Sequence, residues 1–162
     1  MAASLRDLLY SNERLDEVAG MLGHAPAASE VLGVVVEIGL PGDTIMIAGY
    51  ANGDARLVYD TGGGVLGDLF QFADIAETAK ALCATAQPLL QQLTPQSAVP
   101  PMPALDVVLV SVLAKGQIYS GEAPGPQIVT PDHPLNQVFT AANNLFDRLN
   151  QLQNNADAQK GK

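Results

Sequence analysis

Residues 44–60 read TIMIAGYANGDARLVYD, and this stretch decides the fold. Asn52-Gly53 separates two runs of β-branched and aromatic residues, and both turn residues tolerate the positive φ that a tight hairpin turn needs. The pattern predicts a two-residue turn that sets Ala48 opposite Leu57. Both faces of this hairpin are apolar near its base, which indicates a sheet covered on both sides.

The other elements follow from hydrophobic spacing on either side of that hairpin. Apolar residues three and four positions apart predict three helices, over 4–22, 68–93 and from Asp132 or His133 to 152. Strands are predicted over 31–38, 105–113 and 117–121, the last two joined at Lys115-Gly116. Pro88 predicts a break in the second helix, since proline cannot donate the helical hydrogen bond.

The predicted fold is therefore α+β, with a five-stranded antiparallel sheet packed with three helices. Its order is three strands, a helix and two strands, within one domain over residues 1–152. Residues 153–162 read QNNADAQKGK, have nothing to bury, and are expected to form a disordered polar tail.

Composition narrows the classes of partner. Seventeen acidic and eight basic residues give a formal net charge of −9, so nucleic acids and anionic membrane surfaces should be repelled. A basic protein or a cation would be attracted. The acidity also has a simple interpretation, which is that it keeps the domain in solution.

Cysteine usage and the start of the chain bear on the compartment. A single cysteine, Cys83, excludes an internal disulfide and a zinc site of several thiolates. The opening residues have no basic start followed by an apolar stretch, so no signal peptide is predicted. These features favour a cytoplasmic location.

Two resemblances emerge from these elements. The order of helices and strands is similar to that of the roadblock, longin and profilin group of regulatory folds. The segments Asn52-Gly53-Asp54, Tyr59, Gly62-Gly63-Gly64 and His133-Pro134-Leu135 resemble a group of small bacterial proteins with an NGD…Y…GGG hairpin and an HPL helix start. That group has no assigned activity, so the resemblance implies no catalytic residue.

The glycines Gly62, Gly63, Gly64 and Gly67 form the clearest candidate ligand site, because residues 62–67 satisfy G-x-G-x-x-G. In dinucleotide sites such glycines let backbone N–H groups approach a pyrophosphate at a helix start. The predicted strands here are antiparallel, whereas that fingerprint needs a parallel βαβ unit. A small anion, a nucleotide or a partner backbone therefore stands beside the simpler interpretation, a strand-to-helix connection in which glycine adopts positive φ.

Titratable residues supply further candidates. Asp60 and Asp68 could converge across the glycine loop as a cation or acid–base pair, or serve in the turn and the helix cap. His133 is a candidate ligand residue or a helix N-cap, and His24 could join it only through folding. Cys83 lies on an apolar helix stripe, which favours a core residue over a nucleophile. No metal site, cofactor or catalytic residue is predicted.

The sequence leaves three functions open. The preferred hypothesis is a non-enzymatic regulatory or protein-interaction domain, expected to be a homodimer because a charge-poor surface leaves room for an apolar patch. The second is an acidic neutralising, immunity-type protein that binds a basic toxin or enzyme. The third is a small-anion or nucleotide site at the glycine loop.

Overall fold

The computed structural model describes residues 5–65 and 69–160, with side chains up to Asn154. Within these ranges seven strands form one antiparallel sheet with the order β4-β3-β2-β1-β6-β7-β5. Listed in chain order, they are β1 (Gly33–Leu40), β2 (Asp43–Tyr50), β3 (Ala55–Tyr59), β4 (Gly64–Val65), β5 (Thr94–Gln96), β6 (Val107–Ala114) and β7 (Gln117–Pro124).

The α+β class is confirmed, and the predicted number of strands is wrong. The two additional strands, β4 and β5, have two and three residues. Such short edge strands are defined by backbone pairing, and they are too brief to show an alternating side-chain pattern. Pro95 also argued against a strand in the sequence, but proline is tolerated at a sheet edge.

The helices are α1 (Leu5–Leu9), α2 (Asn12–Met21), α3 (Ala73–Ala86), α4 (Gly125–Ile128) and α5 (Asn136–Lys160). The first predicted helix is divided, because Ser11 accepts a hydrogen bond from the Arg14 N–H and begins α2 as its N-cap. A 3₁₀ turn over Gln87–Gln91 follows α3, so the break expected at Pro88 is confirmed. The short α4 had no apolar pattern to reveal it.

Helices cover both faces of the sheet. On the α3–α5 face, fully buried residues of β1, β2 and β6 such as Val34, Ile47 and Val110 pack against those two helices. On the α1–α2 face, Val35 and Met46 pack beneath α1 and α2. This double cover explains why both sides of the strands are apolar.

The register of the first hairpin differs by one residue from the prediction. Ala48 lies opposite Arg56, and Tyr50 donates its N–H to the Asp54 carbonyl across a three-residue loop. Gly53 has a φ of 93°, whereas Asn52 does not have a positive φ. Three-residue hairpin loops of this type consist of a turn followed by one glycine in the left-handed conformation. Compared with the predicted two-residue turn, the loop has one more residue, which moves the Arg56 side chain to the α1–α2 face.

Replacing Gly53 with valine should therefore destabilise the fold by more than about 1 kcal/mol, because a β-branched residue resists this φ. A Cβ there would also lie 2.8 Å from the Ala76 Cβ. Gly116→Val is the matched control, since Gly116 has a φ of 72° and open space around it. Urea denaturation should show the larger loss for Gly53→Val, and equal losses would argue against the contact with α3.

Candidate functional site

The glycine loop has the positive φ values that the sequence predicted, and Gly64 serves the pairing of β3 with β4. Gly62, Gly63 and Gly64 all have positive φ, at 118°, 87° and 141°. A Cβ on Gly64 would lie 1.9 Å from the Leu57 carbonyl oxygen, so this glycine is needed for β4 to pair with β3. Gly67 and Asp68 lie outside the described residues.

Asp60 is exposed in the turn after β3, and its N–H donates to the Thr44 carbonyl. The proposed pair with Asp68 falls outside the residues that the structure describes. The strands on either side of Asp60, β3 and β4, pair antiparallel. The glycine loop therefore does not follow a strand of a parallel βαβ unit, the setting that a dinucleotide fingerprint requires.

The two histidines have separate neighbours. His133 Nδ1 accepts a hydrogen bond from the Leu135 N–H, and the His133 carbonyl accepts one from the Asn136 N–H at the start of α5. His24 Nε2 lies 2.9 Å from Glu30 Oε2, and this carboxylate raises the pKa of His24. His133 follows α4, which packs on β6 and β7, whereas the glycine loop joins β3 and β4.

Cys83 is a buried core residue, as its position on the helix stripe predicts. Its Sγ donates to the Gly49 carbonyl at 3.5 Å, and burial raises the pKa of the thiol to about 12. The thiolate that a nucleophile needs is therefore scarce at neutral pH.

A thiol reagent should consequently leave Cys83 unmodified in the folded protein. Its rate of modification should follow the opening of the domain and should rise to that of a free thiol in denaturant. Ellman's reagent measures both conditions, and one equivalent consumed within seconds under native conditions would contradict the burial.

Two buried ionic clusters lie on the α1–α2 face, and sequence reasoning missed both. The first surrounds Glu37, a fully buried residue of β1. Arg6 binds its two carboxylate oxygens at 2.6 and 2.9 Å, and the Tyr10 hydroxyl donates to it at 2.5 Å. Ser111 Oγ of β6 lies 3.1 Å from that hydroxyl. The carboxylate is therefore bound by Arg6 of α1 and by Tyr10, which directly follows α1.

The second cluster surrounds Asp54, which is also almost fully buried. Asp54 Oδ2 accepts from Arg56 at 2.6 Å and lies 3.2 Å from Arg14 of α2. Asp54 Oδ1 accepts from the Leu69 N–H at 3.0 Å. The one-residue change of register is what places the Arg56 side chain here.

Both clusters attach the N-terminal helices to the sheet. Arg6 and Tyr10 bind Glu37, Arg14 binds Asp54, and the Tyr50 hydroxyl donates to the Leu9 carbonyl at 2.7 Å. Burial, chiefly, raises the pKa values of both tyrosines above their ordinary range. Within the part of the chain that the structure describes, every buried side-chain nitrogen and oxygen has a hydrogen-bond partner, so these clusters stabilise the packing of α1 and α2 on the sheet.

A cavity lies on the same face, along the edge of the sheet where β5 and β7 pair. This edge groove has a volume of about 590 Å³. The segment between β5 and β6 forms one wall, with Pro100, Pro101 and Met102. Leu109 of β6 and Glu122 of β7 also line it, and Arg6 reaches the groove wall by donating to the Pro100 carbonyl at 2.6 Å.

The outer edge of β7 is open beside this groove. β5 pairs with Ile118, Tyr119 and Ser120 of β7. In the described part of the chain, no strand pairs with β7 after Ser120 on that side. The Gly125 N–H donates to the carbonyl of Asp106, the residue directly opposite it. In an antiparallel pair, every second residue directs its N–H and C=O to the neighbouring strand. Counting back from Gly125, Ala123 and Gly121 therefore direct their backbone groups to β6. The N–H and C=O of Glu122 therefore point outward, away from β6.

The sequence contained a signal for the Glu37 cluster but none for the edge groove. A glutamate inside the apolar run of β1 indicated that Glu37 needs a buried partner. Nothing in the local pattern named Arg6 as that partner, and the four prolines of the 94–103 segment gave no indication that it would wall a groove.

Comparison with known proteins finds no matching family model, no similar curated protein and no similar solved structure. Within residues 5–65 and 69–154, no cluster of three or more histidine, cysteine or acidic side chains could hold a metal ion. Among the helices in those ranges, none is both long and apolar enough to cross a membrane.

Proposed function

We propose that the protein acts by binding another protein, as a regulatory or interaction domain and not as an enzyme. The observation that carries this proposal is the open backbone of β7 at Glu122, which lies directly beside the edge groove. An extended segment can add to such an edge by backbone hydrogen bonds while its side chains enter the adjoining groove.

The edge is also protected in a way that suits a selective site. Pro95 and Pro124 stand on either side of the open position and have no N–H to donate. Prolines at an edge limit indiscriminate strand pairing. What remains open is one short stretch, which favours a specific partner segment over general association.

A photoreactive residue at Met102, in the groove wall, tests this proposal in the native cell. Met21 of α2 is the matched control, because both methionines are about half exposed, at 44% and 52%. We expect a discrete protein adduct from position 102 only. Glu122→Pro should abolish it, since the lost N–H points outward and the β6 ladder stays intact.

Adducts formed equally from both positions would contradict the proposal. An adduct at Met102 that survives Glu122→Pro would show that the partner does not use the β7 edge. Thermal unfolding of Glu122→Pro provides the check that the domain still folds.

A second candidate, the acidic neutralising protein, is favoured by the distribution of charge. Three of the eight basic residues, all arginines, are committed to Glu37 and Asp54. Without these three arginines and the two acids that they bind, the sequence has fifteen acidic and five basic residues. Their formal net charge is −10, compared with −9 for the whole chain. A basic toxin or enzyme would be attracted by this field, and its association rate should fall steeply with added salt.

A homodimer remains a proposal, but the apolar stripe of α5 does not support it. The apolar stripe of α5 packs inside the domain, where Val138, Ala142, Leu145 and Leu149 are fully buried. A dimer would therefore use another surface. Light scattering at micromolar concentration distinguishes twice the chain mass of 16.9 kDa from the chain mass itself.

A further inference from the structure

A row of three side chains crosses the α1–α2 face from the centre of the sheet to its open edge. Glu37 of β1 lies opposite Leu109 of β6, and Leu109 lies opposite Glu122 of β7. The backbones of Glu37 and Glu122 are two strand spacings apart, a distance of about 10 Å. Glu37 is neutralised by Arg6 from within the chain, whereas Glu122 is exposed at the groove.

A second copy of β7 is poorly suited to this edge. Ser120 is already paired with β5, and Pro124 has no N–H, so an antiparallel pair of β7 strands has to be centred on Glu122. That register sets Glu122 directly opposite Glu122 of the second copy. Like charges directly opposite each other destabilise a strand pair, so the edge disfavours self-pairing.

The same position favours a cation. In an added strand, the residue opposite Glu122 directs its side chain to the groove face, with its Cβ about 5 Å from that of Glu122. Residues two positions away point to the same face, beside a groove that contains Leu109 and Met102. The chain already uses this chemistry on the same face, where Arg6 binds both the Glu37 carboxylate and the Pro100 carbonyl.

We propose that the partner contributes an extended segment with a basic residue opposite Glu122 and apolar residues two positions away on either side. This proposal rests on the protein-binding function proposed above. Its backbone pairs with the outward N–H and C=O of Glu122. Its cation binds the Glu122 carboxylate, and its apolar side chains enter the edge groove.

Three synthetic peptides test this directly: acetyl-Val-Thr-Arg-Thr-Val-amide and its citrulline and glutamate versions, where citrulline keeps the shape of arginine without its charge. Binding to the full chain is followed by the amide NMR signals of β7. For the wild type, we expect the arginine peptide to bind about fivefold more tightly than the citrulline peptide, the size of one cross-strand charge pair.

Charge reversal provides the matched variant, because Glu122 is exposed and its replacement should not affect folding. Glu122→Lys should reverse the preference, so that the glutamate peptide binds about fivefold more tightly than the arginine peptide. Glu122→Pro should bind none of the three. Equal binding of the arginine and citrulline peptides, an unchanged preference in Glu122→Lys, or no binding by the wild type would each overturn the proposal.

The two proposals fail in different ways. A partner that is captured at Met102, requires the β7 edge and is unaffected by Glu122→Lys would leave the binding function standing and refute the basic segment. Loss of capture in Glu122→Lys, with capture restored by a charge-reversed partner segment, would support both.

Discussion

Replacing Arg6 with alanine is expected to lower the free energy of unfolding by about 3–5 kcal/mol, because it leaves a buried carboxylate without its cation. The Glu37 side chain is fully buried, and Arg6 supplies two of its hydrogen bonds. Tyr10 alone cannot compensate the charge. Denaturation in urea, followed by far-UV circular dichroism, measures the loss.

The chain contains a matched control for this prediction. Arg148 and Asp74 form an ion pair at 3.8 Å, with side chains 48% and 61% exposed. Arg148→Ala should change stability by less than about 0.5 kcal/mol, since solvent screens an exposed pair and the side chains lose entropy to form it. Similar losses for the two alanine variants would show that Glu37 does not depend on Arg6.

Gly39→Ala is expected to destabilise by about 3 kcal/mol, near the upper end of the range for overpacking. A Cβ on Gly39 of β1 would lie 2.0 Å from the carbonyl oxygen of Ala104. That oxygen belongs to the backbone that forms the groove wall, so no side-chain rotation can relieve the contact. The wall must move, and peptide binding in the edge groove should weaken together with stability.

Gly20→Ala is the appropriate comparison. Gly20 lies in α2 and has no atom within 4 Å of an added Cβ. Alanine there should stabilise by about 0.5–1 kcal/mol, because it limits the freedom of the unfolded chain and favours the helix. Opposite signs for the two substitutions are the expected result, and a neutral Gly39→Ala would contradict the close approach of β1 to the segment between β5 and β6.

The sequence predicted those parts of the fold in which side-chain periodicity is long. α3, α5 and the strands β1, β2, β3 and β6 contain repeated apolar positions, and their existence was predictable from them. The strand β7 was predicted from the Lys115-Gly116 turn that precedes it. The hairpin at Asn52-Gly53 was also predicted, but its register was not. Two-residue and three-residue loops share the same glycine signal, and tertiary contacts decide between them.

The candidate site was less predictable, for a physical reason. The glycine loop could be identified from the sequence because a run of glycines indicates positive φ locally. In the structure, Gly64 serves the pairing of β4 with β3. The edge groove depends instead on which strands become neighbours and on where a proline-rich segment packs. Arg6 and Glu37 are 31 positions apart, and local spacing contains no information about such a pair.

The attachment of α1 and α2 through a few polar anchors also sets the order in which the domain opens. These helices bury Leu9, Leu15 and Val18, far fewer side chains than α3 and α5 bury on the other face. We therefore expect α1 and α2 to open as a separate cooperative unit, at a lower free energy than the central strands. Amide hydrogen exchange in low denaturant should release α2 before β1 and β6, and Arg6→Ala should widen that interval.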